Sequence, residues 1–295
     1  MPTTAEQAGQ RQHAFQRKAD IAHGFDLVAD TFDSVNGSFF KGLGARLVQH
    51  AGLQPGDRVL DLGCGRGAVL LAAADAVGAD GYAAGIDLSP EMVRATGAEI
   101  HRRGLRNVAV RVGDAEDPGF PVHSFEAVLA GLMMFITPDP AAALSSAFRV
   151  LTTGGRFAMT TFGPAEPVWG EAIRAALAFR EPAAGAGPGG GGGGGGGGKD
   201  GNGLLNTPED IAALLTAAGF ARIGTVQEES VSSYADPQEW WDSVWASGRR
   251  AVLEQIPQDR REDARRAALA VLAPLLVDGA LTRRTTIRFT TALRE

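Results

Sequence analysis

Apolar positions along the chain change their spacing several times. From about residue 38 to 53 they recur at helical intervals, with Phe39, Leu43 and Leu47 on one face. After the turn Gln54-Pro55-Gly56-Asp57, the short run 58–62 (RVLDL) reads as a strand, and glycines then lead into a helical stretch over 68–77. The alternation continues. Strands are expected at 82–87, 107–112, 125–130 and 156–162. A helix opens at Ser89, with Pro90 in its first turn and Glu91 beside it, and another spans 138–151. Strands alternating with helices of this length predict parallel βαβ units with right-handed crossovers. The first half is therefore expected to be a doubly wound α/β sheet with a ligand at the carboxyl ends of its strands.

The second half has a different pattern. A helix is expected at 168–180, and residues 182–203 are then almost all Gly, Ala and Pro. Thr207-Pro208-Glu209-Asp210 is a helix start, with a Thr cap, Pro at the first position and acids in the first turn. That helix ends at Ala218-Gly219-Phe220. A strand follows at 221–231, helices rich in mixed charge at 237–256 and 259–276, and a last strand at 282–293 with Thr285, Ile287 and Phe289 alternating. Residues 1–24 read as a helix or a loose arm. Four segments result: an N-terminal helical cover (1–54), the α/β core (55–163), a lid helix with a glycine-rich insertion (164–206), and a C-terminal part that returns to the sheet beneath lid helices (207–295).

Composition narrows the function. The 295 residues carry a net charge of −6, which disfavours nucleic acid held by a general basic surface. A single cysteine excludes a disulfide scaffold and suits a reducing compartment. Neither a signal-peptide core nor a membrane-length apolar run is present, so a cytoplasmic protein with no membrane partner is expected. The five scattered histidines have no metal-ligand spacing, and no metal is expected. Of the 40 glycines, ten form the run 189–198, expected to be a disordered insertion in a lid connection. The others include Gly63, Gly65 and Gly67, which follow the first strand.

That glycine loop carries the chemistry. Gly63, Gly65 and Ala68 match a dinucleotide fingerprint, with Asp87 20 residues past Gly67, and on these residues alone NAD remains a candidate. Two acids point elsewhere. Asp61 lies inside the strand, where it would repel a pyrophosphate and attract an ammonium or sulfonium. Asp114, in the loop after the third strand, can accept a hydrogen bond from an exocyclic amine. Acids after three successive strands suit a nucleoside that carries positive charge.

The segments 59–68, 85–93 (GIDLSPEMV), 112–117 and 125–155 resemble the successive motifs of class I S-adenosylmethionine-dependent methyltransferases. The likeness is nearest to their small-molecule branch of ubiquinone- and menaquinone-biosynthesis-like enzymes. It implies a Rossmann-like, mostly parallel seven-stranded sheet with an antiparallel C-terminal strand and a helical lid. It also implies S-adenosyl-L-methionine as cofactor and a small-molecule substrate, leaving the oligomeric state open. Position by position, the resemblance puts Gly63, Cys64 and Gly65 around the methionine portion and Asp61 at its amino group. Asp87 falls on the ribose hydroxyls, Leu88 and Met92 on the adenine faces, and Asp114 and the Ala115 amide on the adenine edge. The carbonyls of Ala130 and Gly131 fall on the ammonium, and Phe25 or Phe32 covers the cofactor. Glu126, Thr153 and Phe135-Ile136 depart from the family pattern, and the last makes the pocket more apolar.

No conspicuous catalytic residue is present, as methyl transfer allows. His23 is the weak candidate, because its segment can fold over the site. Phe39, Phe135, Trp169 and Trp241 are candidates for the substrate pocket, with Phe135 the strongest; for the tryptophans, lid packing is the preferred reading. Cys64 is expected to be an inert small residue. An NAD(P)-dependent oxidoreductase and a non-catalytic cofactor-binding module are the alternatives.

Overall fold

The computed structural model describes residues 4–181 and 205–295, with the backbone alone at 4–11 and 35–37. The glycine run therefore lies outside the described residues. Helices α1 (Thr4–Asp26) and α2 (Phe32–Ala51) precede the alternating core. The core comprises β1 (Arg58–Leu62), α3 (Ala68–Val77), β2 (Tyr82–Asp87), α4 (Pro90–Arg103), β3 (Val108–Val112), β4 (Phe125–Gly131), α5 (Pro140–Val150) and β5 (Leu151–Phe162). After α6 (Pro167–Leu177) come α7 (Pro208–Ala217), β6 (Ala221–Tyr234), α8 (Pro237–Trp245), α9 (Arg250–Leu253), α10 (Arg261–Leu272) and β7 (Leu281–Leu293).

The strands form one sheet in the order β3-β2-β1-β4-β5-β7-β6. Pairings among β1 to β5 are parallel, and β7 runs antiparallel to both β5 and β6. The order reverses between β1 and β4, and that switch point is where a doubly wound sheet opens a ligand crevice. Strand alternation sends Leu60 and Leu62 to one face, packed with α5 and α7, and Val59 to the other, packed with α2 and α3. Asp61 therefore points to the α3 face.

Local chemistry sets the helix starts. Ser89, Asp139 and Asp236 each accept a hydrogen bond from a first-turn amide, and Thr207 and Asp210 complete a capping box. The N-terminal segment is a helix rather than an arm, and α2 begins at Phe32, six residues before the expected start. The expected helix 237–256 is two, because Ala246-Ser247-Gly248 interrupts it. The 259–276 helix shortens to α10 between single 3-10 turns, and β6 runs on to Tyr234. The lid has its own apolar centre, where Trp169, Trp240 and Trp241 meet Leu253, Ile256 and Leu272. No helix among the described residues is long and apolar enough to cross a membrane.

Candidate active site

The loop from β1 to α3 turns through three glycines in the left-handed region, Gly63, Gly65 and Gly67, with φ of 63°, 48° and 81°. A Cβ at Gly63 would stand 2.9 Å from the Met133 Cβ, whereas one at Gly65 would meet nothing within 4 Å. Gly65 thus presents bare backbone to open space. Its amide donates to Asp87 Oδ2 at 2.8 Å, and the Ser89 amide donates to Oδ1 at 2.9 Å, so the carboxylate at the end of β2 is fixed from both sides. Burial raises the Asp87 pKa, and these backbone hydrogen bonds work against the shift.

Asp61 is the anomaly of the site. It is 1% exposed, and neither carboxylate oxygen has a hydrogen-bond partner among the described residues. Burial first, then the charge of Asp87, push its pKa well above the ordinary 3.8. The Leu70 amide, an orphan donor in the first turn of α3, offsets this only in part. Buried polar atoms are rarely left unpaired. Two buried carboxylate oxygens without a partner, next to Cys64 of the glycine loop, fit a ligand that brings a cationic or N–H donor group. Cys64 is buried beside them, and burial together with Asp61 and Asp87 raises its thiol pKa well above the usual range, which keeps it unreactive.

The N-terminal helices close this edge. Phe25 and Phe32 pack with Val28 and Met92 over the start of α4, and Phe32 stacks on Phe40 at 4.6 Å. Asp26 accepts from Ser89 Oγ (2.5 Å) and the Glu91 amide (3.2 Å), and Asp33 pairs with Arg66 of the glycine loop at 3.2 Å. The two Phe-Asp pairs therefore each supply a covering ring and a clamp. Lys18 ion-pairs with Asp114 at 2.7 Å and with Glu116. Asp114 Oδ1 also accepts the Glu116 amide at 2.9 Å, and Ala115 is buried against the sheet.

At the end of β4, Ala130 is buried, and Gly131 leads into Leu132, a non-glycine residue at φ 52° whose amide donates to Thr160 Oγ1 at 2.9 Å. A left-handed leucine is a strained position, held here by its neighbours. Phe135 lies 5.4 Å from Phe162, at the carboxyl ends of β4 and β5.

Asp61, the glycine loop, Asp87, Leu88, Met92, Asp114, Ala115, Ala130 and Gly131 all lie at or near the carboxyl edge around the switch point, and Phe32 packs with Met92 at that edge. Other expected residues fall elsewhere. His23 is exposed on the last turn of α1, which does not suit a catalytic role. Trp169 and Trp241 are 4% and 6% exposed and sit inside the lid core, the packing role preferred for them. Phe39 lines a cavity of about 500 Å³ between α2 and β6, where Arg46 and His50 hold Glu228 and none of the expected cofactor residues contributes. Sequence reading missed Lys18, Asp26 as a clamp and Leu132. None of these has a local motif, since each is defined by a partner distant in the chain.

An α/β sheet with a glycine loop over a buried acid at its switch point defines a protein that binds a small organic ligand at the carboxyl edge. Comparison with known proteins identifies the ligand. Residues 53–179 match the model of a methyltransferase domain family. The nocamycin O-methyltransferase of Saccharothrix syringae is 34% identical over 244 residues, 80% of this chain and 85% of that protein. Aklanonic acid methyltransferase of a Streptomyces species is 42% identical over 144 residues, 49% of this chain and 66% of that protein. The expected likeness to menaquinone-biosynthesis enzymes is found over 138 residues, at 30% identity, in demethylmenaquinone methyltransferase of Symbiobacterium thermophilum, covering 45% of this chain and 55% of that protein. Among solved structures, the YcgJ protein of Bacillus subtilis shares the fold with a TM-score of 0.56 at 20% identity, over 86% of this chain and 99% of that one. The chain belongs to the class I S-adenosylmethionine-dependent methyltransferases that act on small molecules. It is an enzyme whose cofactor is S-adenosylmethionine, and the oxidoreductase and non-catalytic readings are set aside.

Proposed function

We propose that the enzyme methylates an oxygen of a small, largely apolar or aromatic acceptor in specialised metabolism. The choice of oxygen is supported by the relative named as a nocamycin O-methyltransferase, and the metabolic setting by that relative and the one named for aklanonic acid. The observation that carries the cofactor site is the buried, unpaired carboxylate of Asp61 behind the glycine loop.

The residues divide the work of holding the cofactor. Asp61 and the carbonyls of Ala130 and Gly131 receive its ammonium, and the backbone at Gly63–Gly65 receives the methionine chain. Asp87 accepts the ribose hydroxyls. Leu88 and Met92 flank the adenine, and Asp114 and the Ala115 amide take its edge. S-adenosylmethionine supplies a methyl group on a positively charged sulfur. The protein's part is to align the acceptor behind that methyl and to keep water out. The positive charge on sulfur would be dispersed as the methyl is transferred, so an apolar lining contributed by Phe135 and Phe162 would favour transfer over the charged ground state. No side chain is needed as a base when the acceptor oxygen enters ionised.

Titration calorimetry with S-adenosylhomocysteine tests the assignment. Asp87→Ala is expected to weaken binding by about 1–3 kcal/mol, through a lost charge-assisted hydrogen bond. Unchanged affinity removes Asp87 from the site.

A further inference from the structure

The lid is rich in arginine, and most of these side chains are neutralised or hydrogen-bonded. Arg250 pairs with Glu254, Arg265 with Glu262, Arg266 with Asp263 and Arg284 with Glu229, and Arg261 donates to backbone carbonyls. Arg249 and Arg283 differ. Neither guanidinium has a hydrogen-bond or ion-pair partner among the described residues, and both residues are partly buried. They are also close enough to act on each other. Burial, then the charge of Arg283, bring the Arg249 pKa down to about 10. Two like charges held near each other at a partly buried place repel, and an anion placed between them relieves that repulsion.

Both lie over the carboxyl edge of the sheet. β5 pairs with β7 only as far as Ile287, so Arg283 stands on the part of β7 that overhangs the end of β5. It shares a face with Thr285 and Ile287, and its guanidinium lies 5.8 Å from the centre of the Trp169 ring. Arg249 opens α9, which rests on the last turn of α1. A Cβ at Gly248 would stand 3.2 Å from the Phe25 ring, and Arg250 donates to the Leu27 carbonyl at 2.8 Å. The pair thus joins the cofactor-covering segment to the roof of the crevice.

We propose that Arg249 and Arg283 together bind a carboxylate carried by the acceptor, so that the substrate class is an apolar or aromatic acid. This rests on the reading of the crevice as the acceptor site of a methyltransferase. Planar guanidiniums bind carboxylates through paired N–H donors, which fixes orientation as well as charge. In a chain of net charge −6, an uncompensated basic pair inside the lid also selects anions locally.

The test uses the full chain saturated with S-adenosylhomocysteine and compares 2-naphthoate with its neutral isostere 2-naphthamide by calorimetry. The wild type is expected to bind the acid at least about tenfold more tightly. Arg249→Met and Arg283→Met should each erase most of that preference, Arg283→Lys should retain part of it, and affinity for S-adenosylhomocysteine should not change in any variant. Unchanged cofactor affinity and a melting temperature no lower than that of the wild type show that each variant is folded. Equal binding of acid and amide by the wild type, or a preference that survives both methionine substitutions, overturns the proposal. So does sulfate binding as tightly as 2-naphthoate, which marks a general anion site. Failure of S-adenosylhomocysteine to bind the wild type would instead strike the cofactor assignment, and the acid and amide comparison then runs without it.

Discussion

At the scale of single residues, Asp61 is a buried carboxyl with no hydrogen-bond partner on either oxygen among the described residues. Its pKa is raised, so the folded chain holds a proton that the unfolded chain releases above about pH 4. Between those two pKa values the folded state binds more protons, and stability falls as pH rises through that window. Asp61→Asn keeps the shape and removes the titration. The variant without cofactor should therefore melt above the wild type at pH 8, with the gap closing as pH falls toward 4; thermal unfolding followed across pH measures it. The same change should weaken S-adenosylmethionine binding at least about tenfold, by removing a charged partner of the ammonium. A variant less stable than the wild type at pH 8 would show that Asp61 is not an electrostatic liability. Strain at Leu132 belongs to the same economy, since both residues trade stability for a preset site.

At the scale of elements, the first half was legible because each strand is short, apolar and bounded by glycine, proline or a helix cap, and helical spacing follows each one. The Asp61, Asp87 and Asp114 triad was legible for the same reason: Asp61 and Asp87 sit in recognisable strands, and Asp114 follows one by two residues. The lid was less legible. Its mixed charge runs through Ser247-Gly248 with no change of period, and only packing of Gly248 against Phe25 explains the break. The α2 start was missed because its first turn is set by tertiary contact of Phe32 with Met92 and Phe40 rather than by a cap. Close packing also makes a sharp prediction on α2 itself. A Cβ at Gly44 would lie 2.2 Å from the Ala68 carbonyl oxygen at the start of α3, whereas one at Gly42 would meet nothing within 4 Å. Gly44→Ala must push α2 off α3 and should cost about 1–3 kcal/mol, while Gly42→Ala gains up to about 1 kcal/mol of helix propensity. Denaturant unfolding of the two variants should move in opposite directions, and Gly44→Ala should also weaken cofactor binding, because α3 begins at the glycine loop.

At the scale of the whole molecule, α1 packs across the carboxyl edge, as the expected N-terminal cover, but the contacts that fasten it are not readable in its own sequence. Its attachment is polar and comes from three separate parts of the chain: Lys18 to Asp114 and Glu116, Asp26 to Ser89, and the Leu27 carbonyl to Arg250. Such long-range pairs cannot be read from periodicity, since Lys18 and Asp114 are 96 positions apart. Burial opposes the Lys18 charge, but hydrogen bonds to Asp114 and Glu116 outweigh it and raise its pKa above the ordinary 10.5. For a lysine with a raised folded pKa, the stabilisation is complete below 10.5 and is lost only as pH climbs through the folded value. The strap is therefore expected to be indifferent to pH between 6 and 9 as far as Lys18 is concerned, yet sensitive to salt, because the pairs are partly exposed. Pairs of this kind contribute about 0.2–1 kcal/mol each. Lys18→Met should speed amide hydrogen exchange over 12–26 about two- to fivefold and shorten the residence of S-adenosylhomocysteine by a similar factor. Lys18→Arg, which keeps the charge, should leave both close to wild type. Raising the ionic strength should bring the wild type toward Lys18→Met while changing that variant little. If Lys18→Met exchanges and releases ligand as slowly as the wild type, α1 is held by its apolar C-terminal turn alone, through Phe25 and Phe32 packed on Met92, without help from charge.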